Sequence, residues 1–130
     1  MARVKSRPVG ALIVASCHCG KAALEVARAP RTLTACNCSI CRRHGALWAY
    51  YKADSVRLRY RKRDIQAYSW GDRMLRFVRC RTCGCILHHE RTRATPDGRI
   101  GVNARNFEPA VIAEARVRHL DGARTWKYLD

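Results

Sequence analysis

Apolar residues recur along this chain in short runs and alternations, without the sustained 3.6-residue rhythm of long helices. Val56, Leu58 and Tyr60 alternate with Arg57, Arg59 and Arg61, the period of two expected where one face of a strand is buried. Residues 12–15 (LIVA), inside the apolar run 11–16, read as a first strand. Residues 21–27 (KAALEVA) fit either a strand or a short helix, and Pro30 ends them. Residues 33–35 lead into a cysteine cluster, and the aromatic run 46–51 (ALWAYY) reads as a strand. Further strands are expected over 64–70, closed by Gly71-Asp72, and over 74–79 and 86–89. Thr95-Pro96-Asp97-Gly98 is a turn, after which 99–104 closes a hairpin. Residues 109–113 suit a single helical turn, and 114–119 alternate again before Asp121-Gly122. Many short strands joined by turns predict a mainly β domain.

With 130 residues the chain has the size of one domain and can bury a real core. Residues 1–10 read as a basic tail and 11–130 as a single domain. The run 9–15, with Val14-Ala15-Ser16-Cys17 behind it, superficially resembles a lipoprotein signal. Gly10 interrupts it, however, and Cys17 is better used with Cys19. No stretch approaches the roughly 20 apolar residues of a membrane helix. The formal charge of +16 is unusual and favours anionic partners: nucleic acid, anionic lipid heads or small carboxylate-bearing metabolites. The arginines are scattered from Arg3 to Arg124, as simple composition bias would also scatter them, so nucleic acid is a secondary expectation.

Cysteine placement carries the chemistry. Seven of eight cysteines fall into Cys17-His18-Cys19-Gly20, Cys36-Asn37-Cys38-Ser39-Ile40-Cys41 and Cys80-Arg81-Thr82-Cys83-Gly84, with Cys85 directly after the last. Thiols this close rarely bond to one another but can converge on a metal. Without an export signal they point to the reducing cytoplasm. Cys17 and Cys19 with Cys80 and Cys83 make two pairs, each followed by glycine, that can complete a closed tetrahedral zinc site. Cys36, Cys38 and Cys41 can grip a second zinc from three sides and leave a position open for substrate, which makes them the candidate catalytic residues. The alternative is a second structural site, with Cys85 as its fourth ligand. His44 or His88 could also fold in. Seven thiolates and two zinc ions would lower the net charge by about three and leave it strongly positive.

Other residues admit two readings. Trp48, Tyr50 and Tyr51 can line a pocket or belong to the core. Arg42 and Arg43 can hold a carboxylate or simply be solvated. Arg57, Arg59 and Arg61 form an exposed face. His88 and His89 point to opposite faces if extended, so at most one looks into the site.

Taken together, C-x-C-G, C-x-C-S-x-C-R-R, C-x-x-C-G, the late N-x-x-x-F (Asn103 to Phe107) and D-G-A-x-x-W (Asp121 to Trp126) resemble the glutathione-dependent formaldehyde-activating enzyme family, which also includes centromere protein V. The resemblance runs from Cys17 to Trp126. It implies a β-tent of antiparallel sheets organised around zinc. It also implies two zinc sites, with Cys17, Cys19, Cys80 and Cys83 structural and Cys36, Cys38 and Cys41 catalytic. The implied activity is that of a carbon–sulfur lyase joining glutathione to formaldehyde as S-hydroxymethylglutathione. A related zinc lyase or hydrolase, a glutathione carrier and a basic nucleic-acid module are the rival functions.

Overall fold

The computed structural model describes residues 12–93 and 98–130. The expected basic tail at 1–10 and the Thr95-Pro96-Asp97 turn lie outside the described residues. The strands are β1 (Ile13–Ser16), β2 (Ala23–Val26), β3 (Thr32–Cys36), β4 (Trp48–Lys52), β5 (Arg57–Arg59), β6 (Ile65–Tyr68), β7 (Leu75–Cys80), β8 (Ile86–Arg91), β9 (Arg99–Asn103) and β10 (Arg116–Leu120). Two single-turn helices accompany them, α1 (Cys41–His44) and α2 (Pro109–Ile112). No helix among the described residues is long and apolar enough to cross a membrane.

The chain is mainly β, as its patterning predicts. The run 21–27 resolves as strand β2, and 109–113 holds the expected helical turn. Strand β5 is shorter than the alternation over 56–61 suggests, and Leu58 is 43% exposed. The cause is local: the Asp64 carboxylate accepts the Arg61 backbone N–H at 2.9 Å, starting a 3₁₀ turn that draws the chain out of the sheet. β5 is also the edge strand, so little covers its apolar side. The α1 turn inside the second cysteine cluster has no counterpart in the periodicity.

Two sheets form: β1-β2-β5, and a seven-stranded sheet in the order β10-β3-β4-β9-β8-β7-β6. The large sheet is not wholly antiparallel, because β10 runs parallel to β3. The small sheet packs on one face of the large one through Ala15, Leu24 and Val26 against Leu33, Ala49, Val78, Leu87 and Val102. Strand alternation sends the neighbouring side chains the other way. Trp48 and Phe77 therefore join Cys41, Ala46 and Ile86 in a second cluster on the opposite face. A bulge between β7 and β8 pairs Val78 with His88 and Arg79 with Ile86, leaving Leu87 as the extra residue. Beyond the bulge, His89 faces the second cluster with Trp48 and Phe77.

Candidate functional site

The first and third cysteine clusters meet between the sheets. Cys17 and Cys19 lie in the β1–β2 connection, Cys80 ends β7, and Cys83 sits in the β7–β8 turn. Their four sulfurs all lie within 4.8 Å of one another and could hold a metal ion. Cys17–Cys19 and Cys19–Cys80 are 3.7 and 3.6 Å apart. Bonds of about 2.3 Å to a tetrahedral ion need sulfurs roughly 3.8 Å apart, so the set fits such an ion. Gly20 and Gly84 close the two turns with φ of 85° and 81°, a region that side chains disfavour. The Cys83 N–H reaches the Cys80 sulfur at 3.5 Å. Four thiols this close cannot all ionise without a compensating cation.

The second cluster lies across the large sheet. Cys36 ends β3, Cys38 follows in the loop and Cys41 opens α1. These three sulfurs also lie within 4.8 Å of one another. Backbone and indole N–H groups support them: Cys41 N to Cys38 Sγ and Trp48 Nε1 to Cys41 Sγ, each 3.4 Å. The hydrogen bond from Cys41 draws the Cys36 thiol down to about 6. The same bond, then burial, pushes Cys41 up. Cys36 thus ionises before Cys41.

The D-G-A-x-x-W segment forms a lid on this trio. The Asn37 side chain donates to the Asp121 carboxylate at 3.1 Å and accepts the Ala123 N–H at 2.9 Å. That clamp lays Gly122 against the sulfurs, where an added Cβ would stand 2.5 Å from Cys36 Sγ. The N-x-x-x-F segment is architectural. Asn103 and Asn106 donate to the Ile86 carbonyl at 3.0 and 2.8 Å, and Phe107 is core.

The trio opens onto a cavity of about 710 Å³. Tyr50, Phe77 and His89 line it from the sheet, while Ile40, Trp70, Met74, Leu75, Leu120 and Trp126 add apolar wall. His89 is the residue the cysteine spacing did not reveal. Burial, then the charges of His88 and Arg99, push its pKa down to about 4. Its Nδ1 is buried with no protein partner, and its Nε2 is 3.4 Å from the Tyr50 hydroxyl. The expectation that at most one histidine of the pair looks into the site holds. His88 turns to the other face, with Nε2 2.9 Å from the Tyr60 hydroxyl.

Several alternatives fail. Cys85 does not complete the trio: it accepts the His18 N–H and sits beside Cys83. Neither His44 nor His88 joins the three sulfurs. His44 packs on Phe77 at 5.7 Å because the α1 turn carries its ring past the cluster. Neither Arg42 nor Arg43 lines the cavity, and Arg43 binds the Ser39 carbonyl at 2.8 Å. Trp48 is core, whereas Tyr50 lines the site. On the far side of Tyr50, a cleft of about 950 Å³ is lined by Arg28, Arg31, Lys52 and Arg99 with Tyr51 and Tyr128, with no acidic residue among the described residues that line it.

The family model described as glutathione-dependent formaldehyde-activating enzyme matches residues 12–118. The crystal structure of a Rhodobacter sphaeroides protein, a structural-genomics target, superposes with a TM-score of 0.60. It is 31% identical and covers 81% of this chain and 99% of that one. No curated protein matches the chain significantly.

Proposed function

The chain belongs to the glutathione-dependent formaldehyde-activating enzyme family, and we propose that it is a zinc-dependent carbon–sulfur lyase joining a thiol, such as glutathione, to an aldehyde. In the reaction the thiol sulfur bonds to the carbonyl carbon. The C=O π pair moves to oxygen, and the thiol proton ends there as a hydroxyl. Cleavage is the reverse. Cys17, Cys19, Cys80 and Cys83 would hold a structural zinc. Zinc on Cys36, Cys38 and Cys41 would supply Lewis-acid polarisation of the carbonyl and acidification of the thiol.

The protein's own groups do the rest. The apolar cavity wall lowers the polarity around the reacting pair. His89, uncharged at neutral pH, lines the cavity beside the trio; its low pKa suits it to orient a proton in transit rather than to keep one. The cations of the neighbouring cleft attract the carboxylates of an anionic thiol. The observation that carries this reading is the asymmetry of the clusters: four sulfurs close on themselves, whereas three face a cavity that Tyr50 and His89 also line.

The test is adduct exchange between glutathione and formaldehyde, followed by NMR with zinc-loaded protein. Exchange above background that disappears in Cys38→Ser is expected, and a rate equal to background rejects the activity. A glutathione carrier would bind glutathione without accelerating exchange. The basic cleft favours one other reading, a nucleic-acid module, which predicts DNA binding that weakens steeply with salt.

A further inference from the structure

The cavity beside the trio is far larger and more apolar than a one-carbon aldehyde requires. Its volume of about 710 Å³ lies in the range of sites that enclose drug-sized ligands. The chain carries 26 lysines and arginines, yet among the described residues only Arg91 reaches this wall, and Asp72 is its one carboxylate. The cleft on the other side of Tyr50 takes four cations, so the exclusion is local.

The outer wall is apolar and uncovered. Trp70, Met74 and Trp126 are 46%, 57% and 68% exposed. Trp126 is held there at a backbone cost: its φ is 62°, a region bulky side chains avoid. The Trp126 N–H bonds to the Asp121 carbonyl at 2.8 Å, which fixes that turn. The ring then stands beside the reactive sulfurs. A Cβ placed at Gly122 would be 2.5 Å from Cys36 Sγ and 3.5 Å from the Trp126 ring. A strained tryptophan at the trio, continuous with Trp70 and Met74, is a surface shaped for an apolar group attached to the reacting carbon.

We propose that the carbonyl substrate of this site is an aldehyde bearing an extended alkyl or aromatic group, with that group lying along Trp70, Met74 and Trp126 and the carbonyl at the trio. This rests on the thiol–aldehyde reading above. The bonds made and broken are the same, and the product is the hemithioacetal of the longer aldehyde.

The test separates binding from chemistry. Zinc-loaded protein is titrated with n-butanol, n-hexanol, n-octanol and benzyl alcohol, unreactive mimics of the substituent, and tryptophan fluorescence is followed. Glutathione exchange is then measured with formaldehyde, hexanal, octanal and benzaldehyde. Alkanol affinity should rise roughly three- to fourfold per methylene, kcat/KM should rise in the same order, and Met74→Lys should flatten both trends. Accelerated exchange of formaldehyde with no chain-length trend overturns this proposal and leaves the lyase reading intact. No exchange with any aldehyde overturns both, whatever the alkanols do. A self-associated protein whose tryptophans are already shielded from an aqueous quencher, with no alkanol binding, assigns the apolar wall to a second copy and also overturns the proposal.

Discussion

Gly101 lies directly opposite His89 across β8 and β9, and the His89 ring occupies the space that a side chain at 101 would need. The same register places Tyr50 opposite Gly101 on one side and Phe77 opposite His89 on the other. A single transverse row of the sheet, Tyr50–Gly101–His89–Phe77, thus forms the cavity floor, and its missing side chain lets the imidazole fold down. Edge-on contact with Trp48, at a centroid distance of 4.5 Å, fixes the ring from beneath.

Substituting Gly101→Ala should push the His89 ring out of that row. Overpacking of this kind destabilises by about 1–3 kcal/mol, readable in chemical denaturation, and adduct exchange should fall more than stability does. Adding His89→Ala should restore much of the stability but none of the exchange. Additive losses in the double variant would show that the two residues are not coupled.

The two cysteine groups should respond differently to loss of one sulfur. Cys83→Ser breaks the link between the β1–β2 connection and the β7–β8 turn, so the variant should unfold or aggregate. Cys38→Ser removes a sulfur from the loop on the outer face and should stay folded with about one metal fewer. Metal analysis beside circular dichroism distinguishes them. Equal collapse would make both sites architectural.

Gly122→Ala should weaken metal binding at the trio alone, because its Cβ would meet Cys36 Sγ at 2.5 Å. Asn37→Ala should act in the same direction by freeing Asp121 and Ala123. Chelator competition should show one metal released earlier and the other unchanged. Early release of both would mean that the lid is not specific to the trio.

The cysteine groups were legible in the sequence because ligand pairs two or three residues apart are local geometry. The aromatic run over 46–51 announced a strand for the same reason. The pairing of β10 with β3 in parallel depends on segments about eighty residues apart and leaves no local mark. Which histidine faces the site could not be read either. Opposite faces follow from alternation, but the bulge at Leu87 decides that His88 goes inward and His89 to the trio. The α1 turn hides in C-R-R-H, whose residues carry no helical periodicity; the Cys38-to-Cys41 spacing and Gly45 shape it instead. The resemblance singled out Asp121 to Trp126, which lie beyond the matched residues 12–118, while their position over Cys36 became visible only in three dimensions.

Acid should destabilise this fold through His88, which is fully buried. Burial, then the charge of Arg76, hold its pKa at about 4, against the ordinary 6.5. Glu90 stands 3.7 Å from Nδ1, too far for a hydrogen bond, and its pull is offset because Arg76 already holds that carboxylate at 2.6 Å. Tyr60 meets the other ring nitrogen. Between pH 6.5 and 4 the unfolded chain takes up a proton that the folded chain refuses. The stabilisation is therefore complete above about pH 6.5, declines as the pH falls towards 4 and is absent below it. The full effect is on the order of 3 kcal/mol. His88→Gln keeps a hydrogen-bonding partner for Tyr60 but cannot titrate. Metal release acts on both proteins alike, and because the charge of His88 also lowers the pKa of His89, the comparison is repeated on a His89→Ala background, where the difference isolates His88. Urea midpoints measured with excess zinc should fall more steeply with acid in the wild type than in His88→Gln, and the two should converge near pH 4. Parallel pH profiles would mean that His88 carries the same charge in the folded and unfolded chain.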